Sequence, residues 1–487
     1  MATAAEARTL QNYIAGRWRD AEVSEALEDR DPATGELAAR VPLSGAADVD
    51  KAVRAAREAQ PAWREVPPQE RARAVLALRD ALVSHRQEIT ALVTADMGKT
   101  LADADGEVGR GIESVESAAA IPHLLKGETL EGVATGLDVE MVRQPVGVVA
   151  AITPFNFPAM IPLWFLPYAV ACGNSFILEP SERDPRPAER ICALINEEDV
   201  FPPGVVNLVH GGREAVEAIL GHDGVDAVSF VGQASTARLI ATRSAETGKR
   251  VQALGGAKNS MIVAQDADLD SAVPAIIGSA FGAAGQRCLA GSVCVIAGDE
   301  ARQAEVRDAL RAAAEELNTG PGADPGTDVC PMVAPEARER AEAAIANAES
   351  QGATVLLDGR IGGGEAGSML GPTLVDVADP ESELAREEIF GPVLALVEAT
   401  DLEAAIELAN GSRYGNAGSI FTTSGAAARA YRWGIEAGML GVNIGVPAPV
   451  AWFPFSGWKD SIDGDLHANG RDAVEFYTRK KVVTSRW

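Results

Sequence analysis

GVVAAITPFNFPAMIPLWFLPYAVACGNSFIL, residues 147–178, contains no charged side chain over 32 positions. That is longer than a bilayer crossing requires. Pro154, Pro158, Pro162 and Pro167 argue against a crossing, because each lacks a helical N–H donor and crowds the turn before it. A lipid-facing backbone interrupted so often would leave its own polar groups unsatisfied. The run reads instead as a buried strand (Val146–Ile152), a loop (Thr153–Phe157), a short helix to Ala171 and a second strand (Ser175–Leu178). Apolar strands joined by a helix are the unit of a parallel sheet covered on both faces.

The pattern continues on either side. Downstream, FPPGVVNLVHG (201–211) and DAVSFVGQ (226–233) are apolar, β-rich runs approached through loop or helix-like sequence, which predicts a doubly wound sheet. A second series follows: SMIVAQDADLDSAVPAIIGSAFGAAG (260–285), SVCVIAG (292–298), a polar helix to Leu317 and VLALVEA (393–399). Upstream, Val53, Ala56, Leu76, Leu78 and Leu82 recur at helical spacing among Arg and Glu, as in half-exposed helices. No internal repeat and no long Gly/Ser linker is present, so a boundary is placed near residue 255. The tail after Gly470 ends in VEFYTRKKVVTSRW (474–487), whose alternation predicts a strand that pairs with another sheet edge.

The 487 residues allow about three domains. Hydrophobic residues are 47% and charged residues 23%, the proportions of a globular chain with a sizeable core. The formal charge of −27 speaks against nucleic acid or an anionic membrane surface as the main partner. Eight of the 43 basic residues are lysine and the rest arginine. Such a surface fits either a GC-rich genome or a salty cytoplasm; the second predicts stability that rises with molar KCl. The cysteines at 172, 192, 288, 294 and 330 have neither zinc-ribbon nor disulfide-framework spacing, and the five histidines are scattered, so no metal is expected. MATAAEARTLQNYIAG does not have the charged segment and apolar run of a signal peptide, which makes the cytoplasm the expected location.

Three places could carry chemistry. Cys288 lies in FGAAGQRCLAG, where glycines permit sharp turns and close approach, and Arg287 beside it would favour the nucleophilic thiolate. Taken alone, such a cysteine is more often an inert small hydrophobe. Asn156 follows Pro154 and Phe155 on the loop leaving a buried strand, where its amide could donate to a developing oxyanion or simply to its own turn. Gly232, after a strand, could open a helix whose first amides face a phosphate. The local Gly-Gln-Ala-Ser-Thr-Ala does not match the Gly-x-Gly-x-x-Gly fingerprint.

Taken together, the segments Thr153–Pro158 (TPFNFP), Pro180–Glu182 (PSE), Ser229–Gly232 (SFVG), Gly285–Cys288 (GQRC) and Glu387–Pro392 (EEIFGP) stand in the order found in the aldehyde dehydrogenase superfamily, which the chain resembles over essentially its full length. Within it the chain looks most like the CoA-acylating methylmalonate-semialdehyde dehydrogenases. The distinguishing stretches are FPAMIPLW (157–164), PSERDP (180–185), KRVQALGGAKN (249–259), GVN (441–443), FYT (476–478) and TSRW (484–487). The resemblance implies an α/β fold of three parts. These are a doubly wound dinucleotide-binding domain (1–126 and 146–254), an α/β catalytic domain (255–469), and a small β oligomerisation arm (127–145 and 470–487) that makes a homodimer or homotetramer. It implies Cys288 as the nucleophile, with Asn156 and the Cys288 N–H holding the alkoxide formed on attack at an aldehyde. Thr153, Phe155, Glu179, Glu182, Gly232, Glu388 and Phe390 would contact NAD. Glu182 would bind the adenine ribose, Glu388 the nicotinamide ribose, and Phe390 would pack near the ring. Arg110 and Arg287 would grip a substrate carboxylate through paired N–H donors; either alone is more often a surface or helix-pairing residue.

An absence sharpens this reading. Hydrolytic members of the family carry a general-base Glu in Glu-Leu-Gly-Gly-Lys; gapless anchoring on Lys249, Arg250 and Val251 puts Leu254 in its place, 34 residues before Cys288. Without that base, water attack on a thioester should slow by roughly a hundredfold or more. A thiol such as coenzyme A ionises far more readily, so CoA is the expected acyl acceptor, giving propionyl-CoA or acetyl-CoA, CO₂ and NADH from (methyl)malonate semialdehyde. The alternatives are a hydrolytic aldehyde dehydrogenase that makes a free acid with another base, and a non-enzymatic relative. There are also departures: Glu179 stands where the family has a lysine, which disfavours the NADP phosphate; Gln233 and Ala234 replace Ser and Thr; Leu289 and Gly291 alter the pocket beside the nucleophile.

Overall fold

A computed structural model describes residues 7–360, 364 and 366–487. The charge-free run forms the strand Val148–Ile152, the helix Met160–Ala171 and the strand Ser175–Glu179. Both strands and all twelve helical residues are buried, which is why no charge interrupts them before Glu179 at the end of the second strand. The helix lies between the sheet and the helices Pro68–Ser84, Leu101–Ala118 and Gly470–Tyr477, so it has no wet face to mark with polar residues. Among the described residues no helix is long and apolar enough to cross a membrane.

The first sheet has five parallel strands in the spatial order Val206–Leu208, Ser175–Glu179, Val148–Ile152, Ala227–Val231 and Arg250–Leu254. An N-terminal hairpin (Asn12–Ile14 with Arg17–Arg19) extends one edge, and Ile462–Asp463 closes the other antiparallel to Arg250–Leu254. Strand order reverses between Val148–Ile152 and Ala227–Val231, and such a switch opens a crevice at the carboxyl ends of the strands.

The second sheet runs Thr354–Leu357, Thr373–Asp376, Val393–Ala399, Gly291–Ala297, Asn259–Val263, Ala417–Phe421 and Met439–Val442, all parallel except the first. A third, three-stranded sheet places Leu137–Pro145 between Glu128–Ala134 and the tail strand Thr478–Arg486, which pairs along nine residues.

Two details correct the sequence reading. The tail strand begins at Thr478, and VEFY belongs to the helix Gly470–Tyr477. Ala473, Val474, Phe476 and Tyr477 are buried there, packed in the first core rather than in the arm. Ile462–Asp463, expected within the second unit, completes the first sheet instead.

Candidate active site

Cys288 lies where two cavities meet. It is half-buried, and it is the one cysteine of the five that is not fully buried. The chain reaches it from the helix Leu269–Phe281 through three left-handed residues, Ala283 (φ 50°), Ala284 (φ 53°) and Gly285 (φ 68°). At Gly285 a Cβ would run into the Gly391 carbonyl, so glycine is required there. The Cys288 carbonyl accepts the side-chain amides of Asn259 (2.9 Å) and Asn416 (2.8 Å), which tie the loop to the second sheet. Asn259 also donates to the Ala290 carbonyl at 2.9 Å.

Burial pushes the Cys288 thiol up to about 12, and the charge of Glu388 adds to this. The N–H groups of Cys288 and Leu289 and the Lys99 ammonium act in the other direction. Arg287, expected to assist the thiolate, is not among the groups that act most on it; its Nη2 donates to Asp103 Oδ1 at 2.6 Å.

One cavity, about 430 Å³, opens at the carboxyl ends of the first sheet and is lined by Thr153, Phe155, Asn156, Glu179, Glu182, Gly232, Glu388 and Phe390 as well as Cys288. All of the residues expected to contact a dinucleotide, and Asn156, therefore converge there. The Phe155 and Phe390 rings meet edge to face with centroids 5.7 Å apart, and Phe390 holds a left-handed φ of 56°. Such backbone strain in a bulky residue persists only where the surroundings impose it. Glu388 Oε1 accepts the Ala257 N–H at 3.0 Å, and a Cβ on Gly256 would stand 2.6 Å from its other oxygen. Burial raises the Glu388 carboxyl to about 7 despite the Ala257 N–H, Lys258 and Arg413.

Glu179 ends its strand fully buried in this cavity, and burial, then the charge of Glu182, holds its carboxyl well above the usual range. Gly232 does not offer its amide to a phosphate, because that N–H donates to the Leu254 carbonyl at 3.0 Å. The helix after it begins at Ala234, so any anion-facing amides lie beyond Gln233. Leu254 itself is 3% exposed, in the apolar cluster against which Cys288 packs. These surroundings, a strand-end crevice with carboxylates for hydroxyls and aromatic rings beside the sulfur, fit a nicotinamide dinucleotide.

The other cavity, about 450 Å³, is lined by Phe157, Met160, Trp164, Leu289 and Phe455, and by Arg110 and Arg287. Arg110 Nη1 donates to Glu113 at 2.9 Å, and Arg287 is held by Asp103. The structure therefore brings both arginines to one apolar pocket with the sulfur, each already paired with an acid.

Sequence reasoning missed Lys99, Asp103, Glu107, Asn259 and Asn416. Lys99 Nζ and Glu107 Oε2 form a buried ion pair of 2.6 Å, and Lys99 sits 3.7 Å from the centre of the Phe157 ring. Glu107 Oε1 accepts the N–H groups of Ala159 (2.8 Å) and Met160 (3.1 Å), an anion at a helix start. The available signal was spacing: positions 99, 103, 107 and 110 put four charges on one helical stripe.

Residues 18–483 match the aldehyde dehydrogenase family. The chain is 48% identical to malonate-semialdehyde dehydrogenase 1 of Geobacillus kaustophilus over all of this chain and 99% of that one. It is 45% identical to the malonate-semialdehyde dehydrogenase of Halalkalibacterium halodurans, with both chains covered completely. Among solved structures, a methylmalonate-semialdehyde dehydrogenase from Sinorhizobium meliloti 1021 complexed with NAD superimposes with a TM-score of 0.96 at 42% identity, over 100% of this chain and 99% of that one. The methylmalonate-semialdehyde dehydrogenase of Oceanimonas doudoroffii gives 0.96 at 44% identity, over 99% and 98%.

Proposed function

We propose a reaction from one premise: the chain belongs to the aldehyde dehydrogenase family. It oxidises malonate or methylmalonate semialdehyde and passes the acyl group to coenzyme A. The observation that carries the CoA step is Leu254, an aliphatic side chain buried where hydrolytic relatives carry their base. The first sheet, with residues 1–126 and 146–254, would hold the dinucleotide; residues 255–469 would carry the nucleophile.

The Cys288 sulfur attacks the aldehyde carbon and gives up its proton to solvent water, forming a thiohemiacetal whose alkoxide is held by the Asn156 amide and the Cys288 N–H. Arg110 and Arg287 hold the substrate carboxylate in the apolar cavity and so orient the carbonyl toward the sulfur. Thr153, Phe155, Glu179, Glu182, Glu388 and Phe390 hold NAD, with Glu182 and Glu388 accepting from ribose hydroxyls. When bound, the nicotinamide supplies the hydride acceptor that turns the adduct into a thioester on Cys288. A carboxylate β to a thioester carbonyl leaves as CO₂, its electrons delocalising into that carbonyl before the carbon is protonated. The CoA thiol, minus its proton, then attacks the thioester, and Cys288 departs as thiolate.

The hydrolytic reading keeps one specific support. Glu388 lines the same cavity as Cys288 and acts on its charge, and it would have to serve as the base. The deciding assay is NADH formation from malonate semialdehyde with and without CoA, in wild type and Cys288→Ala. Turnover that needs both CoA and the sulfur is expected; CoA-independent release of free acid at the same rate would overturn the acylating reading. The arm supports a homodimer or homotetramer, because its outer strands Glu128–Ala134 and Thr478–Arg486 leave edges and apolar side chains such as Leu130 and Val482 exposed. Five unbridged cysteines fit a reducing compartment, the cytoplasm.

A further inference from the structure

Asp103 stands in the first turn of the helix Leu101–Ala118, where its own N–H is capped by Thr100 Oγ1 at 3.2 Å. Its carboxylate faces two different elements. Oδ1 accepts from Arg287 Nη2 at 2.6 Å, and Oδ2 accepts the Ala283 N–H at 3.1 Å. One side chain thus joins a helix of the first unit to an arginine and to the left-handed turn that delivers Cys288. We propose that Asp103 is a positioning residue: it aims Arg287 at the substrate carboxylate and keeps that aim in register with the sulfur. This deepens the carboxylate-holding role of Arg287 given above and rests on it.

The Cβ of alanine disfavours the left-handed region, and two alanines stand there in succession at Ala283 and Ala284. That turn is therefore kept by its bonds: the Ala283 N–H to Asp103 on one side, and the Gln286 N–H to the Ala283 carbonyl (3.0 Å) on the other. The guanidinium is confined as well. It lies over Gly282, with its nitrogens and Cζ 2.5–2.7 Å from where a Cβ would stand, so only glycine leaves it this place. Finally, an ionised carboxylate has acceptors only, and Asp103 uses both oxygens at once. It takes one Nη2 donor of Arg287, Nη1 reaches the Gly278 carbonyl at 3.4 Å, and the other N–H groups are left for a substrate. In this geometry an amide offers one acceptor and one donor, so Asp103→Asn can keep the Ala283 N–H bond, and with it the turn, only by setting its donor against the guanidinium.

Steady-state kinetics with malonate semialdehyde and with propanal test this. Asp103→Asn is expected to lower kcat/KM at least tenfold for the acid-bearing aldehyde, mainly through KM, and less than threefold for propanal. Gly282→Ala pushes the guanidinium from the opposite side and is expected to give the same acid-specific loss, so the proposal stays testable if the first variant does not fold. Equal losses on both aldehydes, or none, in the variant that folds would overturn it. Arg287→Ala separates the two ideas. If that change spares discrimination, the carboxylate-holding role fails; if it abolishes discrimination while Asp103→Asn and Gly282→Ala do not, only the positioning role fails.

Discussion

The reactivity of Cys288 in the enzyme without cofactor follows from its surroundings. With its thiol pushed up to about 12, the thiolate fraction at pH 7.5 is about one in thirty thousand. Each pH unit should raise that fraction tenfold, so alkylation by iodoacetamide should accelerate roughly a hundredfold between pH 7.5 and 9.5 without a plateau. The other four cysteines are fully buried and held up by the same desolvation, so the early label should sit on Cys288 and vanish in Cys288→Ala. Two substitutions move the rate in opposite senses. Glu388→Gln removes the anion that disfavours the thiolate and should speed alkylation several-fold above pH 7, where Glu388 is ionised. Lys99→Met removes the ammonium that favours the thiolate and should slow it. Mass-mapped alkylation over pH 6.5–10 reads all three. A plateau near neutral pH, or a slower Glu388→Gln enzyme, would refute the electrostatic account of the site.

Further predictions address the two cavities and stability. Arg110→Ala should cut kcat/KM for malonate semialdehyde roughly ten- to hundredfold, the worth of a charge-assisted hydrogen bond, and spare propanal; equal losses would remove the carboxylate contact. Glu179→Lys replaces one of two neighbouring acids with a cation facing Glu182 and should tighten NADP at least tenfold relative to NAD, measured as the ratio of dissociation constants. Glu179 and Asp184 are held well above the usual carboxylate range by burial, then by neighbouring acids, and burial raises Glu388 to about 7. The folded state thus binds protons that the unfolded chain has released, so stability should fall as pH rises from about 5 to 8. The urea midpoint at pH 8 should lie below that at pH 6, with a flatter profile in Glu388→Gln.

What the sequence made legible, and what it hid, follows from which neighbours matter. Val148–Ile152, Met160–Ala171 and Ser175–Glu179 were readable because burial on every side leaves an uninterrupted apolar run. The residues facing the two cavities were found through order and resemblance, and they do converge. Asp103, Glu107 and Lys99 escaped because charges at helical spacing usually mark a solvated face; only packing of the helix Leu101–Ala118 against Met160–Ala171 turns that stripe inward. VEFY escaped because four residues cannot distinguish alternation from one helical turn, and the deciding contact, with the Met160–Ala171 helix, is some 310 residues away. Arg287 and Gly232 line the two cavities, but their local partners were hidden, since a guanidinium and an amide bond whatever the fold brings near: Asp103 and the Leu254 carbonyl.

In the proposed reaction one leucine decides the fate of an acyl group. A CoA thiol with an ordinary pKa of about 8.5 is roughly one-tenth ionised at pH 7.5 and brings its own nucleophile to the thioester. Water, at 15.7, brings almost none and depends on a base held against it. Glu107 cannot lend that service while its oxygens are engaged by Lys99 and by the amides of Ala159 and Met160. Glu388 can take a proton near neutrality, but in the proposed site it accepts from a ribose hydroxyl for as long as the dinucleotide is present. Water would therefore have a base only after the dinucleotide leaves and before CoA arrives. Free acid should appear as a slow leak that falls as CoA rises, and Glu388→Gln should close that leak without slowing acyl transfer to CoA. A leak unchanged in Glu388→Gln would place the base elsewhere in the fold.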